Sequence, residues 1–184
     1  MNFSHYLDRL RVVCDAHGHA VNLNPGAANA ELQAVEAQLG FPISADVRQA
    51  WLLANGAERD VPVFMRPGYL TAYDFLTLKA AMTQRANMAA RAPRYAGFDE
   101  PEPRDKRIRE GWFHQGWLPF ASFGGATLLL MADHSPSEAG TPGQIIAFTH
   151  DPDQITWVAP SFAALLTGSI ADVEADPEEF LGEF

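Results

Sequence analysis

From Trp117 onward the chain offers four short apolar runs, over 117–122, 127–133, 144–150 and 155–158, with only turns between them. Gly124-Gly125, the 135–142 segment and Asp151-Pro152-Asp153 supply those turns. Strands this close together pair antiparallel, because a parallel crossover needs a dozen or more residues. The last third of the chain therefore predicts an antiparallel meander.

Upstream, the apolar period is that of a helix. Phe3, Tyr6, Leu7, Leu10, Val13 and Cys14 recur at spacings of three and four, which predicts a helix over 3–16 with Cys14 as a core residue rather than a nucleophile. Asn24-Pro25-Gly26 breaks the chain. A second helix is expected over 29–39, with Leu32, Val35 and Leu39 inward and Gly40 as its stop. After the extended Phe41-Pro42-Ile43, Ser44 is the expected N-cap of a third helix through Ala54, with Val47, Ala50 and Trp51 inward and Asn55-Gly56 at its end. Residues 61–65 read as a strand that Pro62 confines to an edge. Thr71 and Asp74 resemble a capping box opening a long helix over 72–90, closed by Pro93. Residues 91–110, rich in proline and mixed charge, read as a surface loop. Pro160-Ser161 starts a helix through 166, and 178–184 form a short terminal one. Helices first and a meander later predict an α+β fold: a central, mainly antiparallel sheet packed against N-terminal and C-terminal helices, with one sheet face covered.

Length and composition set the class. A chain of 184 residues fits one domain with its own core. One cysteine makes no internal disulfide, and the longest apolar run, Ala126 to Ala132, is a strand's length rather than a membrane span. The N-terminus has no basic stretch followed by an apolar core, so no signal peptide is expected and a cytoplasmic protein is. The net charge of −10 argues against direct nucleic-acid binding. That charge is unevenly placed: residues 1–109 carry all 13 Lys and Arg against 12 Asp and Glu, whereas residues 110–184 carry 11 acidic residues and no basic one. Such acidity serves either as a solvated face or as a docking surface for a basic partner.

The usual constellations of chemistry are missing from the sequence. Gly124-Gly125 and Gly140-Thr141-Pro142-Gly143 match no phosphate-binding fingerprint, and Ser122 in Ala-Ser-Phe-Gly-Gly is not a nucleophile elbow. The nearest approach to a metal site is Asp133-His134 with His150-Asp151, two pairs flanking one hairpin and able to meet across it; Asp151 with Asp153 offers only two carboxylates. No catalysis, metal or cofactor is expected. The candidate partner-binding residues are Asp133, Glu138, Asp151 and Asp153, on the turns after the second and third meander strands, together with Trp112 as a half-exposed aromatic.

Two ordered sets of residues carry a resemblance. The first is Asn24-Pro25-Gly26-Ala27, Glu31-Leu32, Glu36, Leu39-Gly40-Phe41-Pro42-Ile43, Asp46, Trp51-Leu52-Leu53 and Asn55-Gly56. The second is Gly116-Trp117-Leu118-Pro119-Phe120-Ala121, Gly124-Gly125, Leu128, Asp133, Gly140-Thr141-Pro142-Gly143-Gln144-Ile145-Ile146-Ala147-Phe148, His150-Asp151 and Val158-Ala159-Pro160-Ser161-Phe162. In this order they resemble the N-terminal and C-terminal motifs of the SUKH superfamily, which includes the fungal cell-wall-assembly regulators of the Smi/Knr type. The resemblance covers about residues 24–166, leaving 1–23 as an N-terminal helix and 167–184 as an acidic C-terminal extension of a single domain. It departs from the family around the Gly-Gly turn, where members often carry polar residues and this chain has Phe123, Ala126 and Thr127. The resemblance implies a non-enzymatic protein. Bacterial members are interpreted as immunity proteins that bind and neutralise a cognate toxin, often a nuclease, delivered by contact-dependent or type VI secretion. Fungal members regulate or scaffold cell-wall synthesis, which is the alternative reading here.

Overall fold

The computed structural model describes residues 1–58, 62–69, 71–125 and 127–182. In chain order these form α1 (Phe3–Ala16), β1 (Leu23–Pro25), α2 (Asn29–Leu39), α3 (Ala45–Leu53), β2 (Ala54–Ala57), β3 (Pro62–Met65), β4 (Ala72–Phe75), α4 (Leu78–Arg91), a 3₁₀ turn (Ala92–Tyr95), β5 (Trp117–Phe123), β6 (Leu128–Asp133), β7 (Gln144–Thr149), β8 (Gln154–Ala159), α5 (Phe162–Ala175) and α6 (Pro177–Leu181). The fold is α+β. Strands β3 to β8 pair antiparallel in chain order as one six-stranded sheet, and β1 with β2 makes a separate two-stranded one.

Both faces of the large sheet are covered, not one. Every residue of β6 and β7 is buried, and the two strands divide their side chains by parity. Leu128, Leu130, Ala132, Ile145 and Ala147 join the main core with α1, α3 and α5; Leu129, Met131, Ile146 and Phe148 join a second core with Met88, Ile108, Trp117 and Ile155. A strand buried on both faces reads as an unbroken apolar run, as Leu128-Leu129-Leu130-Met131-Ala132 does. The cover on the second face comes from α4 and from the 96–116 segment, so the expected surface loop is a structural layer. Ile108 is 3% exposed within it.

The meander and the first three helices fall where the sequence placed them, and two helices differ. Residues 72–75 are strand β4, not the start of α4: Ala72, Tyr73 and Phe75 are buried, and Asp74 pairs with Ser122 of β5. The helix begins after Thr77, whose side chain accepts a hydrogen bond from the Ala80 N–H at 3.1 Å. Sheet pairing overrides the local Thr-x-x-Asp signal. Helix α5 runs nine residues beyond the expected end at Leu166. Gly168 is no stop; a Cβ there would lie 2.7 Å from Pro67 Cγ, so the glycine permits close packing of α5 on the β3–β4 connection. Val61 and residues 183–184 of the expected edge strand and terminal helix lie outside the described residues.

Asn24-Pro25-Gly26 and Asn55-Gly56, read as breaks, form the small sheet. The Asn24 side-chain amide donates to the carbonyls of Asn55 and Ala57 at 3.2 and 3.1 Å, and Asn55 Oδ1 accepts from the Leu78 N–H at 2.8 Å. Gly26 has no room for a side chain: a Cβ would stand 1.9 Å from the Leu52 carbonyl oxygen. Trp51 is fully buried on the inward stripe of α3, and its indole N–H donates to the Leu76 carbonyl at 2.9 Å. Trp51 thus ties α3 to the segment that leads into α4. Replacing a buried Trp with Ala typically costs about 3–5 kcal/mol, and here it also strands the Leu76 carbonyl. Trp51→Ala should therefore lower the denaturation midpoint sharply and reduce soluble yield, as read by urea unfolding; unchanged stability would place this side chain outside the core.

Candidate partner-binding surface

The structure separates the five candidate residues. Asp133 is 0% exposed and cannot meet a partner. It ends β6, and its carboxylate accepts from the Ser135 N–H at 2.9 Å and from the Gln144 side-chain amide at 3.0 Å, which fixes the β6–β7 turn. Burial pushes its acidity weaker than usual, while the two hydrogen bonds act in the opposite direction. Glu138 is exposed on that same turn. Asp151 and Asp153 lie at the other end of the hairpin, after β7. Asp151 is exposed, with a left-handed φ of 59° that Asp tolerates, whereas the Asp153 side chain is only 17% exposed and bonds His150 Nδ1 at 2.7 Å.

The same register corrects the reading that the two His–Asp pairs can meet across the hairpin. Asp133 faces Gln144 while Leu128 faces Thr149, so Asp133-His134 and His150-Asp151 flank opposite ends of the β6–β7 ladder. At about 3.3 Å per residue those ends are on the order of 17 Å apart. Among the described residues no group of three or more His, Cys, Asp or Glu is placed to hold a metal ion. Asp133 and His134 form no relay either. His134 Nδ1–H donates to the Gly116 carbonyl at 3.1 Å, and Nε2 accepts from the Ser44 N–H at 3.0 Å. His134 is thus a neutral latch between the β6–β7 turn and the start of α3, with Phe41 packed 4.9 Å from its ring. Cys14 is buried as expected, and burial pushes its thiol up to about 11, away from nucleophilic use.

Much of the C-terminal acidity is engaged within the chain. Glu174 pairs with Arg9 through two hydrogen bonds, Asp172 accepts from the Gly68 N–H at 3.0 Å, and Asp176 caps α6 through the Glu179 N–H at 3.1 Å. Glu178 and Glu179 occupy the first turn of α6, where the helix dipole favours them.

The surface that does gather free carboxylates around aromatic rings lies on the 96–116 layer, beside the β7–β8 turn. Trp112 is half-buried there. Tyr95 stacks on it at 4.3 Å and Phe98 meets it edge-on at 5.6 Å, while Phe98 remains 44% exposed. Burial and the negative charge of Asp153 both raise the Tyr95 phenol above its usual range, which puts this aromatic group beside the β7–β8 turn. An open cavity of about 420 Å³ has Phe98 and Trp112 in its wall, beside the paired Glu100 and Arg104, and is rimmed by Asp99, Glu102 and Glu110. These three acidic residues were hidden in a stretch whose charges look balanced. The structure sorts them: Arg104 is paired with Glu100 at 2.7 Å, Arg107 with Asp105 at 2.6 Å, and Arg109 donates to the Pro136 carbonyl. The only sequence signal was the proximity of Phe98 and Trp112 to those acids.

Two outcomes follow for the β6–β7 turn. Asp133→Ala leaves two donors without their acceptor and should cost about 1–3 kcal/mol for each that stays buried, whereas Glu138→Ala should stay within about 0.5 kcal/mol of wild type. Denaturant unfolding of the two variants tests this. For His134, burial lowers the folded-state pKa below its ordinary value near 6.5, so the folded protein binds fewer protons than the unfolded chain. Its stabilising contribution is complete above about pH 6.5 and is lost as pH falls below that value. Unfolding midpoints from pH 7.5 to 5 should show this loss, and His134→Asn should flatten it.

The sequence profile of the SMI1 / KNR4 family (SUKH-1) matches residues 26–168. Comparison with curated proteins finds no match. The matched span opens at Gly26, whose lack of a side chain the β1–α3 contact requires, and closes within α5, taking in the whole of the large sheet. This protein therefore belongs to the SMI1 / KNR4 family (SUKH-1) of the SUKH superfamily.

Proposed function

We propose that this SUKH-1 protein acts by binding another protein, and that it is an immunity-type protein that neutralises a cognate toxin in the cytoplasm. The observation that carries this reading is the surface around Phe98 and Trp112, where one exposed and one half-buried aromatic ring meet carboxylates that have no partner among the described residues. Aromatic anchors inside a charged rim are the usual make-up of a protein interface. No described helix is long and apolar enough to cross a membrane. Family membership supports a binding role over a catalytic one and is equally compatible with a cell-wall-assembly regulator; the acidic rim favours a basic partner such as a toxin that acts on nucleic acid. An acidic face would cover the basic cleft of such a toxin in place of the phosphate backbone and would speed encounter by steering.

The surface of this reading is Phe98, Asp99, Glu102, Glu110, Trp112 and Asp151, with Asp153 as a support behind Tyr95. Asp133 is excluded by burial, and Glu138 lies on the opposite turn. Co-expression with the product of the neighbouring gene tests the function: growth rescue with co-purification supports immunity, and co-purification with a non-toxic cell-wall protein supports the regulator instead. In the immunity case, the double substitution Glu102→Lys with Asp151→Lys should slow association about tenfold or more at low salt, and added salt should slow the wild type toward the same rate. Equal association rates at low salt would remove this face from the interface.

A further inference from the structure

The cavity beside Trp112 already shows how it handles a cation. Arg104 lies with its Cζ 5.3 Å from the Trp112 ring centroid, and its Nε donates to Glu100 at 2.7 Å. The Glu100 carboxylate is engaged through both of its oxygens. The other Glu100 oxygen accepts the Ile155 N–H at 2.7 Å, and Arg104 also donates to the carbonyls of Arg109 and Gly111. What remains open is a second set of the same groups: the Phe98 ring, 44% exposed, and the carboxylates of Asp99, Glu102 and Glu110, which have no side-chain partner among the described residues. These carboxylates are not gathered closely enough to hold a metal ion. Spread carboxylates over an apolar wall suit an extended organic cation, which takes hydrogen bonds at its edge and packs its flat face on a ring.

The geometry points to this cavity as the receptor for an arginine side chain presented by the protein partner, an inference that rests on the partner-binding role proposed above. The guanidinium packs on Phe98 as Arg104 packs on Trp112, and Asp99, Glu102 and Glu110 take its N–H groups as Glu100 takes those of Arg104. Arginine fits better than lysine because a planar fork addresses several carboxylates at once and stacks on aromatic rings.

A hexa-arginine peptide is the probe, with hexa-citrulline as its neutral counterpart of the same shape, titrated by calorimetry against the full chain at fixed low salt. Two triple variants remove equal charge: Asp99→Asn, Glu102→Gln, Glu110→Gln at the cavity, and Glu138→Gln, Glu178→Gln, Glu179→Gln elsewhere. Melting curves confirm that each is folded. The expected result is at least tenfold weaker binding for the cavity variant and for Phe98→Ala, a change within twofold for the distant variant, and no binding of citrulline. Equal weakening by both triple variants would reduce the effect to bulk charge and overturn the inference, as would citrulline binding. A partner captured equally well by the cavity variant would also overturn it while leaving the proposed function intact. Peptide binding at the cavity without any captured partner would instead uphold the receptor and sink the proposed function.

Discussion

The rest of the structure depends on the central strands being buried on both sides. Apolar side chains from β6 and β7 leave the sheet in both directions, so neither face can meet water. At roughly 25 cal/mol per Å² of apolar surface, an uncovered face of six strands would be prohibitive. The helices α1, α3 and α5 cover one face. The other is covered by α4 and by a segment with little regular structure, which must be held by side chains instead of a backbone ladder. Ile108, Trp112 and Phe113 provide the apolar contact, and Arg107 stacks 3.4 Å from the Trp157 ring centre.

An open sheet also has two edges, and side chains close groups on both. At β3 the Tyr6 hydroxyl donates to the Val63 carbonyl, and Ser169 Oγ accepts from the Met65 N–H at 2.8 Å; the two hydroxyls are 2.9 Å apart. At β8 the Ile155 N–H is taken by Glu100. Strand edges left bare invite unwanted pairing, so these bonds protect the fold. Glu100 does more, since it also holds Arg104 against Trp112. One carboxylate thus fastens the covering segment to the sheet and shapes the cavity on its outer side.

The residues that carry the family resemblance are mostly internal. Gly26, Trp51, Asn24 and Asn55 join the small sheet to α3 and α4, and Asp133 fixes a turn. They specify a fold. The exposed aromatic and acidic groups belong to a segment between the two motifs, 98–112, whose packing needs only a few apolar contacts. That is why family membership identifies the architecture and says little about the partner.

The sequence by itself determined the elements whose signal is local. Apolar spacing gave α1, α2 and α3, Gly40 took the left-handed conformation that ends α2, and turn residues separated β5 to β8 in the right order. It also marked Trp51 and Cys14 as core. Only the tertiary structure decided β4, because Ala72–Phe75 gains from pairing with β5 what its helical capping signal could not supply. Only it decided that Asp133 is buried and that the two His–Asp pairs lie apart, since register places residues by their partners and not by distance along the chain. The acidic rim was illegible for the same reason. In sequence, the five acids and four bases of 96–116 nearly cancel; in space, Arg104 and Arg107 are taken up by Glu100 and Asp105, and Asp99, Glu102 and Glu110 are left facing water.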